Sequence, residues 1–532
     1  MMTITELQQR YAAHPNVEAM SGLLKNPSVR TLFCGGLCAS AASLFSSVLV
    51  QRGEFPFVFI LGDLEEAGYF YHDLTQVLGT DKVLFFPSSF RRAIKYGQKD
   101  AANEILRTEV LSRLQKGEEG LCVVTYPDAL AEKVVSRKEL GDKTLKLHSG
   151  ENVDTNFIME VLRSYGFEYV DYVYEPGQYA VRGSIIDVFS FSSEFPYRID
   201  FFGDEVESIR TFEVETQLSK EKKDSIVIVP DLSRSLEQGG ANGMVSFLDF
   251  LSADTVLAMR DLLWLRERIQ TVHDETLTPQ AIAAREAEES GCITLDGKLI
   301  DGSEFTLRAL DFRRMEFGNK PTGTPDATIT FDTSAQPIFR KNFDMVAESF
   351  KEYMEKGYAL YICSDSMKQT DRIRAIFEDR GDQIAFTAVE RTLHEGFADN
   401  ALRLCIFTDH QLFDRFHKYN LKSDKARSGK VALSLKELNQ FTPGDYVVHT
   451  DHGVGRFSGL VRIPNGDTTQ EVMKLVYQNE DVVFVSIHSL HKVSKYKGKD
   501  GEAPRLNKLG TGAWEKLKER TNCLLYTSDA AD

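Results

Sequence analysis

Cysteine is scarce and unpatterned in this sequence: seven residues among 532, an odd number, with no CxxC pair. That usage excludes a disulfide framework and a cysteine-rich metal site as organising features, and it reads as reduced cytosolic thiols. Cys34 and Cys38 lie four apart, with no His or further Cys close by to complete a zinc site, so both are expected as small buried hydrophobes. The N-terminus, MMTITELQQRYAAHP, lacks the basic-then-apolar layout of a signal peptide. Long apolar runs are missing too. Residues 31–50 carry no charge, but two glycines and four serines interrupt them, and they divide into a short strand and an amphipathic helix rather than a membrane span. Positive charge is in deficit: 63 Lys and Arg against 79 Asp and Glu leave a net charge of −16, which repels a phosphate backbone. The deficit is uneven. Residues 441–522 hold twelve basic and ten acidic side chains, so the acidic surplus lies before them and suits protein partners better than nucleic acid.

An intact phosphate-binding loop, GxxxxGK[ST], is also absent. That loop needs glycines for close backbone approach and a lysine for the β and γ phosphates. The first strand runs into Gly36-Leu-Cys-Ala-Ser-Ala41-Ala42-Ser43, which keeps the spacing but sets Ala41 at the second glycine and Ala42 at the lysine. Without the ammonium group, this degenerate loop is expected not to hydrolyse ATP. No catalytic residue, metal site or bound cofactor is expected in the chain. His449 and His452 flank an Asp but lack a third ligand, and read as structural histidines.

What is present is ordinary globular composition, 42% hydrophobic and 27% charged, over a length that implies three to five domains. Residues 1–140 alternate strand candidates (31–35, 57–61, 82–87, 121–125) with helical patterns such as 101–114, which implies a parallel sheet flanked by helices. Residues 224–326 are a further α/β stretch, with a loop at 237–243. Between 327 and 434 lie strands at 358–363 and 403–408 and a helix at 367–379, then a basic linker at 418–430. Runs at 473–477 and 482–486 flank residues 478–481 as a hairpin, and a charged helix begins at 513.

Residues 174–212 read YEPGQYAVRGSIIDVFSFSSEFPYRIDFFGDEVESIRTF. Runs at 179–189 and 197–202 predict strands, and Gly203-Asp204 a tight turn into a third at 206–212. The phrase resembles the UvrA-binding module shared by the excision-repair protein UvrB and the transcription-repair coupling factors. A second block reads PGDYVVHTDHGVGRFSGLVRI from Pro443, then EVMKLVYQNEDVVFVSIHSLHKVSKY and LNKLGTGAWEKLKER. It resembles the RNA-polymerase-interacting domain of the coupling factors, which is similar to the small β-barrel of CarD-type regulators. UvrB carries nothing like it. The two blocks in this order resemble the N-terminal part of the bacterial transcription-repair coupling factor (Mfd) family.

The resemblance implies a multidomain α/β chain. A degenerate helicase-like α/β lobe (1–140 and 223–326) would carry an inserted β-rich UvrA-binding module (141–222). An α/β domain with linker (327–434), a CarD/Tudor-like β-barrel (435–512) and the start of a linker helix (513–522) would follow. The last residues, 523–532, fit neither the helix nor the family and read as a foreign tail. Arg182, Arg198 and Phe202 match positions through which the family contacts UvrA, and arginines with an aromatic anchor are what interface hot spots favour. The competing reading makes Phe202 core and pairs the arginines with Asp200 or Asp204. Leu460, Val461, Arg462 and Ile463 match the contact with the polymerase β subunit, by strand addition, although barrel packing accounts for alternate residues equally. The family's ATP- and Mg-dependent motor on double-stranded DNA follows the polymerase-binding domain and is expected to be missing here, with no membrane contact and a cytoplasmic location. Two alternatives stay open. A UvrB-like excision component is opposed by Ala41, Ala42 and the barrel block, and by the interval 87–97, too short for a DNA-gripping hairpin, where Arg91, Arg92 and Lys95 read as a solvated basic loop. A stand-alone CarD-like regulator is opposed by the long lobe ahead of the barrel.

Overall fold

Short runs of consecutive β-branched and aromatic residues, such as Phe57–Ile60 and Val83–Phe86, are buried at every position, as strands covered on both faces must be. In the computed structural model they join a seven-stranded sheet in the order Ala327–Thr330, Thr31–Gly35, Arg313–Gly318, Val256–Met259, Phe57–Ile60, Cys122–Thr125, Val83–Phe86, and every pair is parallel. The structure describes residues 2–89, 101–142, 144–214, 216–230, 232, 244–276, 297–415, 417, 419, 444–449, 452–465, 468–486, 493–495, 504 and 506–508. The predicted loops at 237–243 and around Arg91, Arg92 and Lys95, nearly all of the linker at 418–430, the helix from 513 and the tail lie outside the described residues.

The return of the chain after the insertion goes as the sequence implies, since Val256–Met259 and Arg313–Gly318 enter between Phe57–Ile60 and Thr31–Gly35. The expected boundary at 326/327 falls at the start of an edge strand of this sheet, because Ala327–Thr330 pairs with residues 32–35. The helix Ala41–Arg52 is not amphipathic. It is buried nearly all round, between the N-terminal helices and the helix Leu64–Leu78. Its serines go inside because a hydroxyl can bond the carbonyl one turn back, as Ser47 does to Leu44 at 2.6 Å.

A second sheet has the order Met2–Thr3, Thr387–Glu390, Ala359–Ser364, Leu404–Thr408, Phe397–Asp399, Thr333–Ala335. The chain's first strand therefore belongs to a sheet built almost four hundred residues later, and the helix Ile4–Ala12 follows it behind a Thr3–Glu6 capping box. Ile4, Leu7 and Tyr11 share one core with Phe45 and Leu32 of the first unit and Cys363, Phe397 and Ile406 of the second. The two α/β units are thus joined through a common apolar core.

The insertion opens and closes on an antiparallel pair, Leu145–His148 with Ser225–Ile228. Inside it a six-stranded sheet runs Ser219–Lys223, Glu205–Phe212, Tyr197–Phe202, Ile185–Val188, Gln178–Arg182, Glu168–Tyr169. The run read as one strand over 179–189 is two, because Gly183, at φ 63°, turns the chain between Arg182 and Ile185. The predicted turn at Gly203 is present, also at φ 63°. A fourth sheet, five-stranded and antiparallel, runs Val482–Ser486, Thr468–Val476, Gly453–Asn465, Tyr446–His449, Val493–Lys495. Its core is Val447, Phe457, Met473, Leu475, Tyr477, Val485 and Val493.

Candidate protein-binding surfaces

Alternation along Tyr197–Phe202 divides the inserted sheet into two faces. Ile199 and Phe201 point inward with Tyr179, Ile186, Val206 and Ile209, onto Ile158 and Leu162 of the helix Thr155–Ser164. Arg198, Asp200 and Phe202 point the other way. Phe202 is 77% exposed, so the reading that makes it core is excluded. A phenyl ring that far into water gains little by folding alone.

Arg182 and Arg198 do not lie on neighbouring strands. The strand Ile185–Val188 runs between theirs, and its Asp187, wholly buried, binds both arginines. Arg198 makes a fork, Nε to Oδ1 at 2.8 Å and Nη2 to Oδ2 at 2.9 Å, and gives Nη1 to the Gln217 carbonyl at 3.1 Å. Its guanidinium also lies 4.4 Å from the centre of the Phe212 ring. Arg182 gives Asp187 one nitrogen and sits 5.0 Å from the centre of the Tyr172 ring; its other donors have no partner among the described residues. Internal pairing to Asp200 or Asp204 is not what occurs. Asp200 accepts instead from Arg210 and Ser208. Asp187 and Arg210 were missed in the sequence, although the Gly183 turn, once placed, sets Asp187 directly opposite Arg198. The face therefore carries Arg182, Arg198 and Arg210 against Asp187 and Asp200, a local positive surplus on an acidic chain, ending at Phe202.

In the fourth sheet, Tyr446–His449 covers only residues 453–456 of the long strand Gly453–Asn465. A register shift between Phe457 and Leu460, with Gly459 at φ 115°, carries the strand onward beside Thr468–Val476 alone. Along Leu460, Val461, Arg462 and Ile463, no described strand pairs with the other edge. Strand addition requires an edge without such a partner. Leu460 is exposed, and Val461 is half-buried. The side chains of Arg462 and Ile463 lie outside the described residues, and their backbones stand opposite Glu471 and Gln470. His449 is buried and stacks on His452 with ring centres 4.6 Å apart. Among the described residues no group of three or more metal-ligating side chains is placed to hold an ion, and no helix is long and apolar enough to cross a membrane.

The degenerate loop is covered by the second α/β unit. Gly36 has φ 82°, and a Cβ there would collide with the Phe331 carbonyl oxygen. Thr333 donates to the Gly36 carbonyl at 2.6 Å and accepts from the Cys38 N–H at 3.1 Å. Ala41 is buried, the Glu395 N–H reaches the Ser40 hydroxyl at 2.9 Å, and Ser43 bonds Asp73. A protein carboxyl group and a neighbouring backbone N–H thus take up the Ser43 and Ser40 hydroxyls at this helix start. Cys34 is buried as expected, and Cys38 is half-buried beside Thr333.

Around this junction Tyr69 and His72 of the helix Leu64–Leu78 meet His394, His410 and His417. Tyr69 stacks on His394 at 3.5 Å, His410 on His417 at 4.3 Å, and His72 stands 4.8 Å from His417. Burial lowers all four histidines to about 4.

Comparison with known proteins assigns two of these units. Residues 145–233 match the UvrB interaction domain, and residues 441–497 match the CarD-like/TRCF RID domain. Over 91% of its length the chain is similar to transcription-repair-coupling factors. It is 24% identical over 552 residues to one from Staphylococcus aureus (strain bovine RF122 / ET3-1), and 22% identical over 557 residues to one from Bacillus subtilis (strain 168). The chain spans about half the length of these curated relatives, 47% of each, and aligns with their N-terminal part.

Proposed function

From a chain that aligns with the N-terminal half of transcription-repair-coupling factors, we propose an adaptor for transcription-coupled nucleotide excision repair: it binds stalled RNA polymerase and recruits UvrA to the lesion. The observation that carries this reading is the joint presence of a UvrB interaction domain and a CarD-like/TRCF RID domain in one chain. Each has a surface suited to a protein partner. In the first, exposed Phe202 lies on the same face as Arg182, an aromatic anchor with a cation. In the second, the strand edge at Leu460–Ile463, unpaired among the described residues, would be augmented by the polymerase β subunit, within a small β-barrel of the CarD/Tudor kind. The first α/β unit is a helicase-like lobe that has given up nucleotide chemistry, with no cofactor of its own, and the second is a separate α/β domain. In the complete cytoplasmic protein, an ATP- and Mg-dependent motor on double-stranded DNA completes the activity.

Sequential pull-down tests this. Immobilised RNA polymerase should retain the chain, and the retained chain should then capture UvrA. Phe202→Ala should lose UvrA and keep polymerase; Ile463→Arg should lose polymerase and keep UvrA. A truncating aromatic anchor at an interface centre removes about thirtyfold in affinity, enough to read on beads. Capture of UvrA unaffected by Phe202→Ala, or of polymerase unaffected by Ile463→Arg, would reassign the corresponding surface.

A further inference from the structure

Asp187 is an unusual place for a carboxylate: fully buried, on the middle strand of three, with an arginine on each side. The two arginines are not equivalent. Arg198 is spent inside the module, since its fork closes on Asp187, its third nitrogen bonds the Gln217 carbonyl, and its side chain is only 15% exposed. Arg182 lies at the rim, 36% exposed, tied to Asp187 by one nitrogen and backed by the Tyr172 ring. A free arginine carries rotamer entropy, which an interface must otherwise remove on binding. The tie to Asp187 removes part of that freedom in advance. It leaves donors of the Arg182 fork for an acceptor on the partner.

We infer that Asp187 is a positioning residue for the UvrA contact, acting through Arg182, while Arg198 anchors Asp187. This rests on the adaptor reading above and says which residue of that surface sets the geometry. Charge and geometry make opposite demands here, so they can be separated. Removing the Asp187 charge leaves the face more positive, and simple attraction to an acidic partner would then rise. Loss of position would lower affinity instead, through faster dissociation.

The experiment uses the whole chain and purified UvrA in surface-binding kinetics. Asp187→Asn keeps the side chain's shape. It should weaken UvrA about tenfold through the dissociation rate, with the association rate equal or higher. Asp187→Asn combined with Arg182→Ala should bind no worse than Arg182→Ala alone, because Asp187 acts only through that guanidinium. A merely structural aspartate would give independent, additive losses. Arg182→Lys is the second variant, rim-exposed enough to leave the fold intact. It keeps the charge, loses the fork, and should also lose about tenfold. Asp187→Asn binding as tightly as the parent or more so, additive losses in the cycle, or an Arg182→Lys variant at parental affinity overturns the inference. A parent chain that fails to bind UvrA overturns the adaptor reading itself.

Discussion

Ser43 donates its hydroxyl to Asp73 at 2.8 Å, and the His394 N–H reaches the other oxygen of that carboxylate at 2.7 Å. The start of the helix Ala41–Arg52 is thereby occupied by a buried carboxyl group from within the chain, bonded in turn to the second α/β unit. Restoring the missing phosphate-loop residues should not restore nucleotide binding. Titration calorimetry with Mg-ATP is expected to show no binding for the parent or for the double variant Ala41→Gly, Ala42→Lys. Saturable binding by that variant would refute the argument.

Gly36 offers a direct measure of the same junction. An alanine there would have to hold φ 82° and would collide with the Phe331 carbonyl oxygen. Left-handed strain and the clash act together, so Gly36→Ala should destabilise by at least ~2 kcal/mol. Chemical unfolding with unchanged slope and a clearly lower midpoint is the expected result. An unshifted midpoint would mean that the Phe331 segment moves aside freely.

The histidine cluster predicts acid sensitivity with a defined sign. Burial holds His72, His394, His410 and His417 near 4, below their unfolded value of about 6.5. Mutual histidine repulsion adds to this for His72, His394, His410 and His417, Arg415 lowers His410 further, and Asp365 opposes it for His72, His410 and His417. A depressed pKa contributes stability that is present above about 6.5 and lost as pH falls toward 4. Asp73 works the other way. Burial raises it from 3.8 to about 7, so its contribution is present below about 3.8 and lost as pH rises from there through 7. Unfolding free energy should therefore fall between pH 6.5 and 4, where the four histidines outweigh the opposing Asp73, and the fall should be less steep in His410→Gln. A flat profile from 6.5 to 4.5 would exclude the cluster as a stability determinant.

Phe202 and Arg198 should separate binding from stability. Phe202, at 77% exposure, contributes little to the fold, and Phe202→Ala should leave the melting temperature within a degree or so of the parent. Arg198→Ala removes the forked partner of a buried carboxylate and its contact with Phe212. Arg182 still covers Asp187, so the expected cost is about 2 kcal/mol rather than that of a fully orphaned charge. Equal melting temperatures for the two variants would show that the fork is not maintained in solution.

Local chemistry alone determined much of this protein. Consecutive buried runs announced the parallel strands, and Gly203 announced its hairpin, because each depends on residues within one turn or strand. The two blocks at 174–212 and 443–520 carried the kinship for the same reason. Tertiary structure decided what depends on residues far apart. Nothing near Met2 indicates that it pairs with Val389, and nothing near Gly36 indicates the Phe331 carbonyl above it. Arg182 and Arg198 could be named from the sequence as interface arginines. Which of them keeps the more exposed donors was set by Asp187, placed between them by a turn at Gly183 that the sequence reading ran through as strand. Register places side chains on a face, and only packing shows which charges are already satisfied.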